Sequence, residues 1–208
     1  MPPISATWKF GFLNDGGTEV ERKPLNQWSM SGQGKELLKV MEGPITRIVN
    51  GQTEYKNVIL PGESAVTIGW GVYLGALNQT QINDITQLVN GKVNEGQWIT
   101  EAEAEAALQY LIGLKEVDLV WRNTYFSLNI GNVTQYEFDA LLLQVFNSGY
   151  PEMLQGYFVN GTDEQIVQAI LDKYRTLSGW SINGVGWEKR VRAQVQVFKH
   201  NTYPSTVY

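Results

Sequence analysis

Ser64-Ala65-Val66-Thr67-Ile68-Gly69-Trp70-Gly71-Val72-Tyr73-Leu74-Gly75 is the stretch around which the chain is organised. Its first half alternates side-chain faces as a strand does, and Gly69, Gly71 and Gly75 then remove the side chains that would hold a ligand off the backbone. A strand of this kind leaves its sheet and becomes the wall of a cleft. Thr67 is the reactive hydroxyl on the face that also carries Ala65 and Gly69, while Trp70 and Tyr73 offer flat apolar surface with a polar edge. A sugar ring suits such a wall.

Upstream, apolar Leu37, Leu38 and Met41 recur at helical spacing from Ser31, and Gly43-Pro44 ends the helix, glycine as a left-handed cap and proline as a breaker. Glu42 is then the last helical residue. It faces the negative end of the helix dipole, and partial burial beside Met41 and Ile45 adds to that; both favour its protonated form. Residues 45–75 read as a small antiparallel sheet, with strands at 45–49, 53–60 and 65–70 and turns at Asn50-Gly51 and Pro61-Gly62.

Helices follow. Asn78 opens one that stops at Gly91, and the Thr100–Glu103 capping box opens a long one through Trp121. Thr134 caps a segment that runs to Asn147, Thr162 caps residues 163–177, and a last helix spans about 185–200. Ahead of all this, Trp8, Phe10 and Phe12 alternate before Asn14-Asp15-Gly16-Gly17, so residues 1–28 read as an N-terminal β-hairpin extension that packs on the main domain or on a protein partner. Residues 29–208 form the main domain, with a sheet lobe at about 45–75 and a helical lobe at about 76–200. The fold class is α+β.

With 208 residues, 43% hydrophobic and 18% charged, the chain can bury one substantial core and has no apolar run long enough for a transmembrane segment. A net charge of −5 disfavours nucleic acid, whose recognition needs clustered Lys and Arg. There is no cysteine, and His200 is the single histidine, read as a surface residue. Zinc sites of His or Cys type, Cys-His pairs and Ser-His-Asp triads are thereby disfavoured, and no metal or cofactor is expected. No basic segment followed by an apolar one opens the chain, so a standard secretory signal is not expected.

Thr67-Ile68-Gly69-Trp70-Gly71 resembles the Thr-Ile-Gly-aromatic-Gly signature of phage-type lysozymes (endolysins), and the longer run to Gly75 is most similar to their pesticin-like muramidase branch. Met41-Glu42-Gly43, Phe138-Asp139-Ala140-Leu141 leading into Phe146-Asn147-Ser148-Gly149, and Gly186-Trp187-Glu188-Lys189-Arg190-Val191-Arg192 extend the resemblance over roughly 31–200. It implies a lysozyme-like fold with the active-site cleft between the two lobes. It also implies a glycoside hydrolase that cuts the β-1,4 bond between N-acetylmuramic acid and N-acetylglucosamine in peptidoglycan glycan strands. The chain would be made in the cytoplasm and reach the bacterial cell wall by release or delivery from a phage or toxin system. A lysozyme-like glycan-binding module that has lost turnover, and a lytic transglycosylase, are the other readings.

Glycosidic cleavage needs an acid for the leaving oxygen and a second group that positions water or attacks the sugar. Glu42 is the expected acid and Thr67 positions the water. The family's intervening aspartate has no counterpart: its spacing from Glu42 lands on Asn50 or Gly51, and its spacing from Thr67 on Pro61. Val72 and Tyr73 also depart from the pattern. The acids available are Glu54 and Glu63, with a backbone or amide partner for Thr67 as a third option. A regular strand would leave Glu63 roughly 13 Å from Thr67, so Glu54, on the neighbouring strand, is favoured. Trp70, Tyr73 and Asn147 are the expected substrate contacts, Asn147 being equally readable as a helix terminator.

Overall fold

A computed structural model describes residues 20–126, 128, 130–148, 162–176 and 185–204, the side chains of 147–148, 173–176 and 185–187 excepted. The elements are α1 (Gly32–Glu42), β1 (Thr46–Val49), β2 (Gln52–Lys56), β3 (Thr67–Ile68), β4 (Val72–Tyr73), α2 (Gln79–Leu88), β5 (Trp98–Thr100), α3 (Glu101–Tyr125), α4 (Gln135–Ser148), α5 (Asp163–Thr176) and α6 (Val185–His200). Helix boundaries follow the expected caps closely. Ser31 accepts from the Gly34 N–H at 2.9 Å, Asn78 and Gln81 form a reciprocal capping box, and Gly43 takes a φ of +46° just past Glu42. The expected apolar face of α1 is buried, with Leu37, Leu38 and Met41 all at 6% exposure or less. Most of the proposed N-terminal hairpin lies outside the described residues.

By backbone packing the chain divides into two units, one of residues 39–114 and one that joins the residues before 39 to those after 114. Residues 76–114 thus group with the sheet, although the sequence pattern suggests a boundary near 75. In the 39–114 unit, β1 and β2 form an antiparallel hairpin through Asn50 (φ +51°) and Gly51 (φ +78°), the left-handed pair that a tight hairpin turn requires. Strand β5 closes the other edge of β2, giving the order β1-β2-β5, while β3 and β4 form a separate two-stranded ladder. The sequence pattern does not reveal β5. It is three residues long, and it runs straight into α3 through the Thr100–Glu103 box. Tyr55, Ile68, Trp70, Val72, Ile85, Val89, Ile99, Ala104 and Leu108 make the core of this unit.

In the other unit α4 and α5 each pack on α6. Helix α4 is apolar on nearly every side, and Phe138, Ala140, Leu142, Leu143 and Val145 are fully buried. Asp139, on the same helix, is also fully buried. Its carboxylate accepts from the Ser31 hydroxyl and the Tyr203 hydroxyl, both at 2.5 Å, and from Gln135 at 2.9 Å. Burial pushes its pKa above the usual carboxylate value, against the pull of those donors. Gly34 faces this carboxylate so closely that a Cβ there would stand 2.6 Å from Oδ2. His200 is about half exposed and pairs with Asp163 at 2.7 Å.

Glu103 shows how the 39–114 unit is held electrostatically. Burial alone would raise its pKa, but Lys92, Asn90 and Thr100 outweigh that and bring it down from the ordinary 4.5 to about 2. The stability it contributes is therefore complete above pH 4.5 and is lost as pH falls towards 2. Glu103→Gln is expected to lower the urea midpoint at pH 7 and to flatten the acid limb of the stability profile. An acid limb unchanged in the variant would contradict the assignment.

Candidate active site

The last turn of α1 delivers Glu42 to the turn of the β3–β4 ladder. Both glycines of that turn have left-handed backbone, with φ of +52° at Gly69 and +76° at Gly71, so neither position suits a side chain. They are also places of close approach. A Cβ on Gly69 would meet Ala104 at 3.0 Å, and one on Gly71 would stand 2.5 Å from Glu42 Oε2. The Glu42 carboxylate, half-buried, thus lies directly against the Gly71 backbone. Three residues earlier on α1, Lys39 pairs with Glu105 at 2.6 Å and stands over the Trp70 ring at 4.6 Å.

Thr67 is 6% exposed and pairs across the ladder with Tyr73. Its hydroxyl donates to Glu63 Oε2 at 2.8 Å, and the Leu60 N–H donates to the same oxygen at 3.1 Å. A regular strand would have held Glu63 and Thr67 apart. Instead β3 is two residues long, and the chain before it turns at Gly62 (φ +89°) with the Glu63 N–H donating to the Leu60 carbonyl at 2.9 Å. The turn folds Glu63 back onto Thr67. Glu63 Oε1 makes no hydrogen bond among the described residues and remains able to accept one.

Glu54 is placed elsewhere. Strand β2 ends at Lys56 and takes β1 and β5 as neighbours, not β3. Arg47, its cross-strand partner, binds Glu54 Oε2 through Nε at 2.7 Å and a terminal nitrogen at 2.6 Å, and stacks over Trp98 at 4.1 Å. Of the two candidate acids, Glu63 is the one bonded to Thr67, and Glu54 is held by Arg47. Thr67 and Glu63 are hydrogen-bonded where the chain enters the β3–β4 hairpin, and Glu42, from α1, lies against its turn at Gly71.

Trp70 also departs from expectation. Only 6% of it is exposed, its ring lies 4.5 Å from that of Tyr55, and Lys39 stands over it, so it is core and not a platform for a sugar. Its indole is consumed in packing the hairpin onto α1. Tyr73 is half-buried and its hydroxyl lies 3.2 Å from the Ser64 hydroxyl. Asn147 falls in the last turn of α4, and its side chain lies outside the described residues.

Among solved structures, the chain is similar to an endolysin from Escherichia coli O157:H7 phage FAHEc1. The match has a TM-score of 0.55 and 22% identity, and it covers 86% of this chain and 98% of that one. The fold is lysozyme-like. No family model matches the sequence, and neither does any curated protein. Among the described residues no helix is long and apolar enough to cross a membrane.

Gly71 and Gly62 give a paired test of the Glu42 contact, since both have left-handed backbone but a Cβ on Gly62 would meet nothing. Alanine at either position costs about 1–2 kcal/mol of backbone strain. Gly71→Ala is expected to cost more than Gly62→Ala in chemical unfolding, and to displace the Glu42 side chain in a crystal structure. Equal costs with Glu42 unmoved would show that the contact is not binding.

Proposed function

We propose that the protein is a peptidoglycan hydrolase of the lysozyme type, a muramidase that cuts the β-1,4 bond between N-acetylmuramic acid and N-acetylglucosamine. One observation carries this reading: an acid at a helix end lies against the glycine turn of the same short hairpin that holds a Thr–carboxylate pair, in a lysozyme-like fold. The similar phage protein is described as an endolysin, and the Thr67–Gly75 stretch supports its pesticin-like relatives as the nearer comparison.

In this mechanism Glu42 protonates the leaving glycosidic oxygen as its bond to C1 breaks. A water between Thr67 and Glu63 attacks C1. The Thr67 hydroxyl spends its proton on Glu63 Oε2, so its lone pairs accept one hydrogen of that water, while Glu63 Oε1 takes the other as general base. Glu42 ends ionised and Glu63 protonated, and solvent restores both. The substrate places the site of action at the bacterial wall, after release or delivery.

The test is release of new reducing ends from purified cell walls, with turbidity followed in parallel. Glu42→Gln is expected to lose at least about a hundredfold in rate, and Glu63→Gln a comparable amount, with thermal midpoints close to wild type. Glu42→Gln that clears walls as fast as wild type would overturn the proposal. Products ending in 1,6-anhydromuramic acid would assign a lytic transglycosylase instead. Binding to glycan without any new reducing ends would assign a non-catalytic module.

A further inference from the structure

Glu63 is carried on a segment with little packing of its own. Ile59 and Leu60 are 40% and 46% exposed, and Pro61, Gly62 and Ser64 are exposed as well. Such a segment is held by its hydrogen bonds. At its base, the Val58 and Thr67 backbones exchange both N–H···O bonds, at 3.1 and 2.7 Å, and the Leu74 N–H reaches the Val66 carbonyl at 2.9 Å. These fix the two ends; at the tip the Glu63 N–H donates to the Leu60 carbonyl, and its carboxylate accepts from the Leu60 N–H and the Thr67 hydroxyl.

Beyond Glu63's own bonds, the tip is held by Tyr73. Its hydroxyl accepts from the Ser64 N–H at 3.4 Å and shares a hydrogen with the Ser64 hydroxyl at 3.2 Å. Ser64 is the residue next to Glu63, so a peptide rotation there would swing the Glu63 side chain. The phenol is itself constrained. Its ring lies across Gly75, where a Cβ would overlap Cζ and the hydroxyl, and its backbone is paired with Thr67 in the ladder. The same strand that holds Thr67 from across the ladder therefore also holds the neighbour of Glu63.

We propose that Tyr73 is a positioning residue of the site: through Ser64 it holds the Glu63 segment so that the carboxylate stays on the Thr67 hydroxyl. This rests on the reading of Glu63 as the group that orients water. It gives Tyr73 a role in turnover, in place of the sugar contact that its exposed edge first suggests. The two roles separate kinetically. A lost sugar contact weakens substrate binding and raises KM, whereas a loosened Glu63 lowers kcat and leaves KM in place.

The experiment is a double-mutant cycle on wall-fragment hydrolysis with Tyr73→Phe and Glu63→Gln. Tyr73→Phe is expected to lower kcat about three- to thirtyfold with KM unchanged, and to have no further effect when Glu63 is already Gln. An equal loss in both backgrounds, a loss confined to KM, or no loss at all would overturn the proposal. Gly75→Ala, which keeps the hydroxyl but displaces the ring, is expected to lower kcat in the same way. Amide hydrogen exchange at Ser64 reads the latch without any turnover: it is expected to be at least tenfold faster in Tyr73→Phe, and unchanged exchange would also overturn the proposal. Inactive wild type with accelerated exchange at Ser64 would instead locate the failure in the hydrolase reading.

Discussion

The arrangement depends on the absence of a side chain at Gly71. Glu42 ends its helix with the carboxylate pressed onto that glycine, and any Cβ would occupy the space of the carboxylate itself. Left-handed backbone at Gly69 and Gly71 turns β3 into β4, and the same two residues let α1 and α3 close on the turn within the 39–114 unit. Lys39 and Trp70 then seal the contact, one by pairing with Glu105 and the other by packing on Tyr55. Position and chemistry thus arise from one steric condition.

Carboxylates in the 39–114 unit are sorted by how fully they are satisfied. Glu103 is enclosed by Lys92, Asn90 and Thr100, and Glu54 is captured by Arg47. Such groups hold structure. Glu63 differs, since one oxygen is occupied by Thr67 and Leu60 while the other is left to accept. In the other unit, the buried Asp139 gathers Ser31, Gln135 and Tyr203, a set of donors that explains how its carboxylate is accommodated in a largely buried helix. Ser31 serves twice there, as helix cap and as donor.

The helical architecture was legible in the sequence because its signals are local. Asn78, Thr100, Thr134 and Thr162 each stand one residue before a helix, and Gly43 ends α1 where a left-handed residue is needed. Glu42 could be placed at its helix end for the same reason. The Glu63–Thr67 pair could not, because its existence depends on a turn ahead of a strand only two residues long, and alternation between residues 64 and 68 suggests a longer one. The cue available was Pro61-Gly62: a left-handed glycine there lets the chain double back. Strand β5 was hidden by its brevity. The burial of Trp70 was not legible either, because sequence shows that a ring is near a cleft motif but not which of its faces are already covered.

Glu42, Glu63, Thr67 and Tyr73 all come from one short run of chain, inside the unit of residues 39–114. Their mutual approach closes only small loops, so its entropic cost is low and it need not wait for distant segments to meet. A nascent chain can therefore assemble the reactive hairpin once α3 has supplied Ala104 to Gly69 and Glu105 to Lys39. Sequence drift in the helices beyond α3 is correspondingly free to tune what surrounds the hairpin while the reacting groups keep their mutual spacing.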